Sequence, residues 1–387
     1  MKKILCLLLA LCMVMTLSVT ALAEEAAKTV KITLMSKGSE LFWGTDVTPG
    51  AETMYATTDA EGTITAATAA DAWNLKLEYP ADGNPTLTLK GAHLVAATNN
   101  NVLLVEGTAD LTIVVAEDSV MVGSNRVAFW LCGTGTTTIT GPGKLSVSGI
   151  GVPIRLGGTL IGSGNTIMKD ANISSNHVGD GSPYSAIMAS SGNLVIDNTK
   201  LELLNGHGGG IWQYAKKTTV VDEANGVYTG VNIQTPVWAE DPIVKNVTIQ
   251  NGSVITGQVT TTIFGASGDI KIKDSTVDVL TAGKSVVFAK NPILEGEYTA
   301  VAGADKDSAG AFSVDSATTY KYVKITPKAE TPAPSEPTTP SEPTTPAPGG
   351  TTNPSTGDTF SVALVATLAL ASLATLAVTV IGKKKAI

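Results

Sequence analysis

The chain is poor in the side chains that most often carry chemistry. Among 387 residues there are three cysteines, three histidines and two arginines, Arg126 and Arg155. Cys6 and Cys12 fall in an N-terminal segment that reads as removed, so Cys132 stands alone and no intrachain disulfide braces the fold. His93, His177 and His207 are scattered without metal-ligand spacing, and Cys132 has no partner close in sequence, which argues against a zinc site or a Cys-His nucleophile. There is no Gly-x-Ser-x-Gly, phosphate loop or dinucleotide fingerprint. The glycine cluster 206–210 around His207 lacks the lysine and strand-to-helix setting of a phosphate loop and reads as a bulged turn. No long segment repeats its apolar residues at helical spacing. Basic charge is also short. The net charge is −8, and setting aside Lys2, Lys3, Asp358 and the three tail lysines leaves about −12, with no basic stripe for nucleic acid. So acidic a chain repels polyanions unless a cation bridges the two, whereas neutral glycans meet no such barrier.

What is present begins at the two ends. Lys2 and Lys3 precede an apolar run, 4–19, which leads to Ala21-Leu22-Ala23 and then Glu24 and Glu25. Positive, apolar and small-residue stretches in that order predict a secretory signal peptide over 1–23, cut after Ala23. At the other end the uncharged apolar stretch 360–381 is long enough to span a bilayer as a helix, and Lys383, Lys384 and Lys385 follow it. Directly before it stand Asn353, Pro354, Ser355, Thr356 and Gly357. Short motif, apolar helix and basic tail together resemble the cell-wall sorting signal of sortase substrates, in the Asn-Pro-x-Thr-Gly form. The resemblance implies that a sortase cuts between Thr356 and Gly357 and joins Thr356 to a wall peptide of a Gram-positive-type bacterium. Asn353, where the commoner form has Leu, leaves the sortase class open, and a plain single-span anchor is the alternative. Segment 329–352 is rich in Pro, Thr, Ser and Glu and repeats Ser-Glu-Pro-Thr-Thr-Pro from Ser335 and from Ser341. Such a composition cannot bury a core and predicts a disordered, extended stalk.

The remainder is dominated by Thr, Val, Ile and Gly, and it is periodic. Leu194, Ile196, Leu201 and Leu203 superpose on Ile270, Ile272, Val277 and Val279, with Asn198 over Asp274. The same template fits from Pro85, Ala109, Gly135, Gly164 and Lys245, so successive starts are 24, 26, 29, 28, 53 and 23 residues apart. The interval of 53 is about two periods and suggests a diverged coil or a loop near 218–231. A second short apolar stretch precedes most starts: Leu103-Leu104-Val105, Phe129-Trp130-Leu131, Ala186-Ile187-Met188, Ile263-Phe264. One such repeat cannot bury its apolar face alone, but stacked repeats can. The expectation is an all-β protein: an N-terminal β region or cap over 24–80, then a right-handed parallel β-helix of about eight coils over 81–328. A pair of Ig-like sandwiches is the competing fold.

Segments such as Asn84-Pro-Thr-Leu-Thr-Leu-Lys-Gly-Ala, Leu111-Thr-Ile-Val-Val-Ala-Glu and Tyr320-Lys-Tyr-Val-Lys-Ile-Thr-Pro resemble the carbohydrate-binding, pectin-lyase-like β-helix proteins on the surface of clostridial and gut Firmicutes. That resemblance implies a non-enzymatic β-helix that contains calcium and binds plant cell-wall or acidic polysaccharide, here as a monomer on the wall. Asp170, Asn198, Asn251 and Asp274 share one column after a strand. They read either as a turn ladder of Asx side chains or, with Asp180 and Asp197, as calcium ligands. Arg126 and Arg155 are about one repeat apart and could share a face that binds carbohydrate; lyase-type catalysis there would need calcium-binding aspartates beside them. For stacking on sugar, Trp212 with Tyr214 is the better exposed platform, and Trp130, inside an apolar strand, reads as core. An adhesive or structural surface protein with a protein partner is the alternative function.

Overall fold

The computed structural model describes residues 27–36, 43–96, 100–157, 164–179, 184–189, 192–206, 209–212, 246–266, 268–282 and 285–328. The expected signal peptide, stalk, sorting motif and membrane span all lie outside these residues. Among the described residues no helix is long and apolar enough to cross a membrane.

The protein is all-β, built from three sheets whose pairings are predominantly parallel. Sheet I runs through Leu103–Gly107, Phe129–Leu131, Ile154–Leu156, Ser185–Ala189 and Gly209–Trp212. Sheet II contains eight parallel strands: Thr86–Lys90, Leu111–Glu117, Thr137–Thr140, Thr166–Lys169, Leu194–Asp197, Val247–Gln250, Ile270–Lys273 and Ile293–Glu295. Sheet III holds His93–Val95, Ser119–Gly123, Lys144–Gly149, Asn172–His177, Lys200–Leu204, Val254–Val259 and Thr276–Thr281. From Thr86 onward the chain visits sheet II, then III, then I, and returns to II one position further along each ladder.

Alternation within each strand fills the space between the sheets. In sheet II, Leu87, Ile113, Ile139, Met168, Ile196, Ile249 and Ile272 are consecutive partners across the ladder, and each is 0% exposed. This column is the one that the periodic template aligned. At Asp170-Ala171, Asn198-Thr199 and Asp274-Ser275 two residues make the passage from sheet II to sheet III, and at Asn251-Gly252-Ser253 three do. The first has a left-handed backbone, with φ of 51° at Asp170, 44° at Asn198, 57° at Asn251 and 47° at Asp274, and the same place is taken by Gly91 and Gly296. Asn, Asp and Gly are the residues that tolerate this conformation. The last residue of each of these four corners, Ala171, Thr199, Ser253 or Ser275, is small and buried, and the hydroxyls of Thr199 and Ser253 donate to Met168 O at 3.0 Å and Ile196 O at 3.1 Å.

The interval of 53 residues has a simple structural origin. Leu194 pairs directly with Val247 in sheet II, Lys200 with Val254 in sheet III, and Ile211 with Phe264 in line with sheet I. No rung is skipped, so the interval is one repeat plus an insertion rather than two repeats. The inserted residues, 213–245, lie outside the described residues.

Antiparallel strands cover both ends, where open ladders would otherwise invite edge pairing. Leu75–Tyr79 pairs with Thr86–Lys90 and carries Ala51–Thr58 on its other side, while Val30–Leu34 pairs with Leu103–Gly107. At the far end Tyr322–Pro327 returns antiparallel to Thr276–Thr281 and Tyr298–Gly303 pairs beyond it. The repeat reading over 81–328 did not anticipate this last reversal. The segments involved fall outside the template, and strand direction leaves no mark on an alternating pattern.

Candidate functional site

In sheet I, Phe129, Leu131, Ile154 and Leu156 occupy the inward positions and are 0–4% exposed. Alternation then turns the residues between them, Trp130 and Arg155, to the outer face, where they are partners across the ladder. Trp130 is therefore half-buried on the surface of sheet I, a correction to its reading as core; its neighbours Phe129 and Leu131 fill the inward places instead. The Arg155 guanidinium carbon lies 4.6 Å from the centroid of the Trp130 ring, within cation–π range. The indole Nε1–H donates to Gly157 O at 2.8 Å, which fixes the ring that carries the guanidinium. Leu104 precedes Trp130 in register, and Met188 and then Trp212 follow Arg155.

Trp130, Arg155 and Met188 line a cleft of about 570 Å³, together with Arg126, Asn100, Asn101, Asn125 and Tyr184. The volume falls in the usual small-ligand range of roughly 300–1,000 Å³. Asn101 is held by the N–H of Val127, which donates to its Oδ1 at 3.2 Å. The cleft thus collects both arginines of the chain, three asparagines, a tryptophan and a tyrosine, and among the described residues no aspartate or glutamate lines it. Among the described residues neither arginine pairs with a carboxylate, and the buried Nε–H of Arg155 has no partner there. A buried donor left in that state costs about 1–3 kcal/mol. Burial lowers the pKa of Arg155, although a guanidinium starts so high that it stays cationic. Beside it, burial pushes the Cys132 thiol up to about 11, Glu106 adds to the rise, and Arg155 and Lys31 oppose it. Glu106 is itself paired with Lys31 at 3.2 Å.

The Asx column is explained by the corner it makes. Asn198 Nδ2 donates to Asp170 Oδ1 at 2.7 Å, while Asn251 and Gln250 donate to the two carboxylate oxygens of Asp197 at 2.8 and 3.0 Å. The groups that face these carboxylates are amide N–H donors, and calcium demands six to eight oxygens. Among the described residues no group of three or more His, Cys, Asp or Glu is placed to hold a metal ion. Of the expected calcium set, Asp170 and Asp197 are thus engaged by amides, Asp274 makes its corner with a φ of 47°, and Asp180 lies outside the described residues.

A second ladder stands at the start of the sheet II strands. Asn165 Oδ1 accepts from Asn193, Asn193 Oδ1 from Asn246, and Asn246 Oδ1 from the N–H of Asp269, at 2.8–3.0 Å. The Gly-Asn and Gly-Asp pairs at the template starts were its signal in the sequence.

Of the expected sugar-binding residues, Arg126 and Arg155 meet in the cleft, Trp212 holds the register position after Met188, and Tyr214 lies outside the described residues. Sequence reasoning missed Trp130, Tyr184 and the asparagines. For Trp130 a signal existed: it precedes Arg155 by 25 residues, one repeat, at the same place in the strand. Trp73 lies elsewhere, against Tyr55, with the Lys76 and Lys90 ammonium groups 5.4 and 5.5 Å from its ring. Buried His177 directs Nε2 at Ile150 O, 2.9 Å away. Comparison with protein-family models, curated proteins and solved structures found no match for the chain.

Proposed function

We propose that this is an exported, wall-anchored surface protein whose β region binds polysaccharide through the sheet I cleft. In this reading the three parallel sheets wind as a right-handed β-helix of about eight coils, like the pectin-lyase-like carbohydrate-binding proteins that the sequence resembles. Signal peptide 1–23 directs export, and Asn353-Pro354-Ser355-Thr356-Gly357 hands the chain to a sortase, so that stalk 329–352 holds the β region away from the wall.

The observation that carries the binding role is the cleft itself. Planar side chains and fixed amide groups on a rigid sheet are what sugar rings and hydroxyls require: apolar faces to lie against, and donors and acceptors at set positions. The reading is of binding rather than lyase chemistry, because among the described residues no carboxylate stands beside Arg126 and Arg155. It does not invoke calcium, since the Asx side chains serve the corners.

The test is retention of the full chain on insoluble and soluble polysaccharides, in parallel with calcium and with chelator. Retention on at least one glycan, unchanged by chelator, is the expected outcome. Failure on every glycan would leave an adhesive surface protein with a protein partner.

A further inference from the structure

We infer that His177 is an acid-operated clasp: when its imidazole takes up a second proton, it ties three consecutive rungs together beside Tyr184, a residue of the sheet I cleft. The clasp does not depend on the polysaccharide reading; on an exported chain the pH of the medium sets its state.

Two features of the geometry carry it. The first is the pair of atoms that face the ring. His177 closes a strand of sheet III and is 1% exposed. Its Nε2 lies 2.9 Å from Ile150 O and its Nδ1 lies 3.3 Å from Asn205 O. Gly149 is the ladder partner of His177, and Leu204 is that of Asn176, so Ile150 follows the rung before and Asn205 the rung after. A carbonyl oxygen only accepts, and a neutral imidazole has one N–H, so in that form one contact sets a lone pair against an oxygen. The imidazolium donates to both. Burial opposes the charged ring, but these two main-chain oxygens replace the hydrogen bonds that water gives it, whereas the neutral ring loses one.

The second feature is how the surroundings fit the ring. A Cβ on Gly179 would stand 2.6 Å from Ile150 O and 3.0 Å from Nε2, so the bare glycine leaves the room in which these atoms meet. The Tyr184 and His177 rings meet edge to face with centroids 6.0 Å apart, and Tyr184 also lines the cleft. Among the described residues Tyr184 is the titratable group whose ring faces His177. On the strands paired with its own, Lys144, Lys200 and Glu202 hold outward positions, where Lys144 and Glu202 pair at 3.7 Å. Strand Ser185–Ala189 carries no Asp, Glu, Lys, Arg, His, Tyr or Cys. Asp180 and His207, close in sequence to His177 and Asn205, lie outside the described residues.

A folded state that favours the imidazolium raises its midpoint above the unfolded value of about 6.5. The clasp then contributes fully below about pH 6.5, and its contribution is lost as pH rises through the folded midpoint. The test is a pH titration of the full chain carrying 13C-labelled histidine, with His177→Gln, which cannot titrate, assigning the resonance. The inference expects His177 to titrate above about 6.5. It also expects the gap in melting temperature between the unaltered chain and His177→Gln to be wider at about pH 5.5 than at about pH 8.5. In hydrogen exchange at about pH 5.5, His177→Gln should lose protection in Ile154–Leu156 and Ser185–Ala189 but not in Ile270–Lys273, several rungs away. If His177→Gln does not fold, His93→Gln and His207→Gln assign the remaining resonance, and the titration decides alone.

A midpoint at or below about 6.5, a ring that keeps one charge state between about pH 4 and 9, or a gap that widens as pH rises would each overturn the inference. Exchange that rises equally in all three strands, or in none of them, would overturn it too.

Discussion

Asn198 shows how one residue serves the fold in two ways. Its φ of 44° is a conformation that a side chain with a Cβ enters at a cost of roughly 1–2 kcal/mol unless it is Asn or Asp. Its amide also donates to Asp170 on the adjacent rung. Asn198→Ala should therefore lower stability by about 1–2 kcal/mol in urea unfolding, while Asn198→Gly, which keeps the backbone freedom, should cost less. Cys132 gives a second expectation at this scale. With its pKa near 11 the thiolate at pH 8 is about a thousandfold in the minority. Iodoacetamide should alkylate it far more slowly than a free cysteine at pH 8, and the rate should climb as pH rises toward 11. Residue chemistry was only partly legible in the sequence. The Asx column could be seen, but whether it turned corners or held a metal depended on φ and on which side-chain atoms face each other. Trp130 was misassigned because an apolar strand alone does not say which of its two faces is the wet one.

At the scale of elements, much more was legible, because the repeat writes itself into inward columns. Each of the seven template starts is followed within two residues by a strand of sheet II, from Thr86–Lys90 to Ile270–Lys273. What escaped were strands too short or too irregular to print a pattern, such as Ile154–Leu156 and Ile293–Glu295, and the antiparallel ends. The stack of Leu87, Ile113, Ile139, Met168, Ile196, Ile249 and Ile272 makes a direct expectation about packing. Ile249→Ala should cost about 2–5 kcal/mol and Ile249→Val about 0.5–1.5 kcal/mol, measured by denaturant unfolding. Because each rung packs chiefly on its two neighbours, hydrogen exchange in the Ile249→Ala variant should rise most in Leu194–Asp197 and Ile270–Lys273, the strands on either side.

In the proposed function the ends and the middle divide the work. The proposed anchor turns on Thr356, so Thr356→Ala should leave the protein in the membrane fraction and out of the wall digest, whereas the unaltered chain should be released with wall fragments. The middle presents faces of different character. The outer face of sheet I carries the cleft with Trp130 and Arg155, and that of sheet III carries Glu202 and Asp278, paired respectively with Lys144 at 3.7 Å and with Lys324 at 3.6 Å. If the protein binds glycan as proposed, these faces should differ in what they contribute. The measurement that decides is retention of the full chain on the polysaccharide it binds best, comparing Arg126→Gln with Arg155→Gln in one variant and Glu202→Gln with Asp278→Asn in another. The account predicts that the sheet I variant is lost from the glycan while the sheet III variant is retained like the unaltered chain. Retention of the sheet I variant, or loss of the sheet III variant alone, would contradict it.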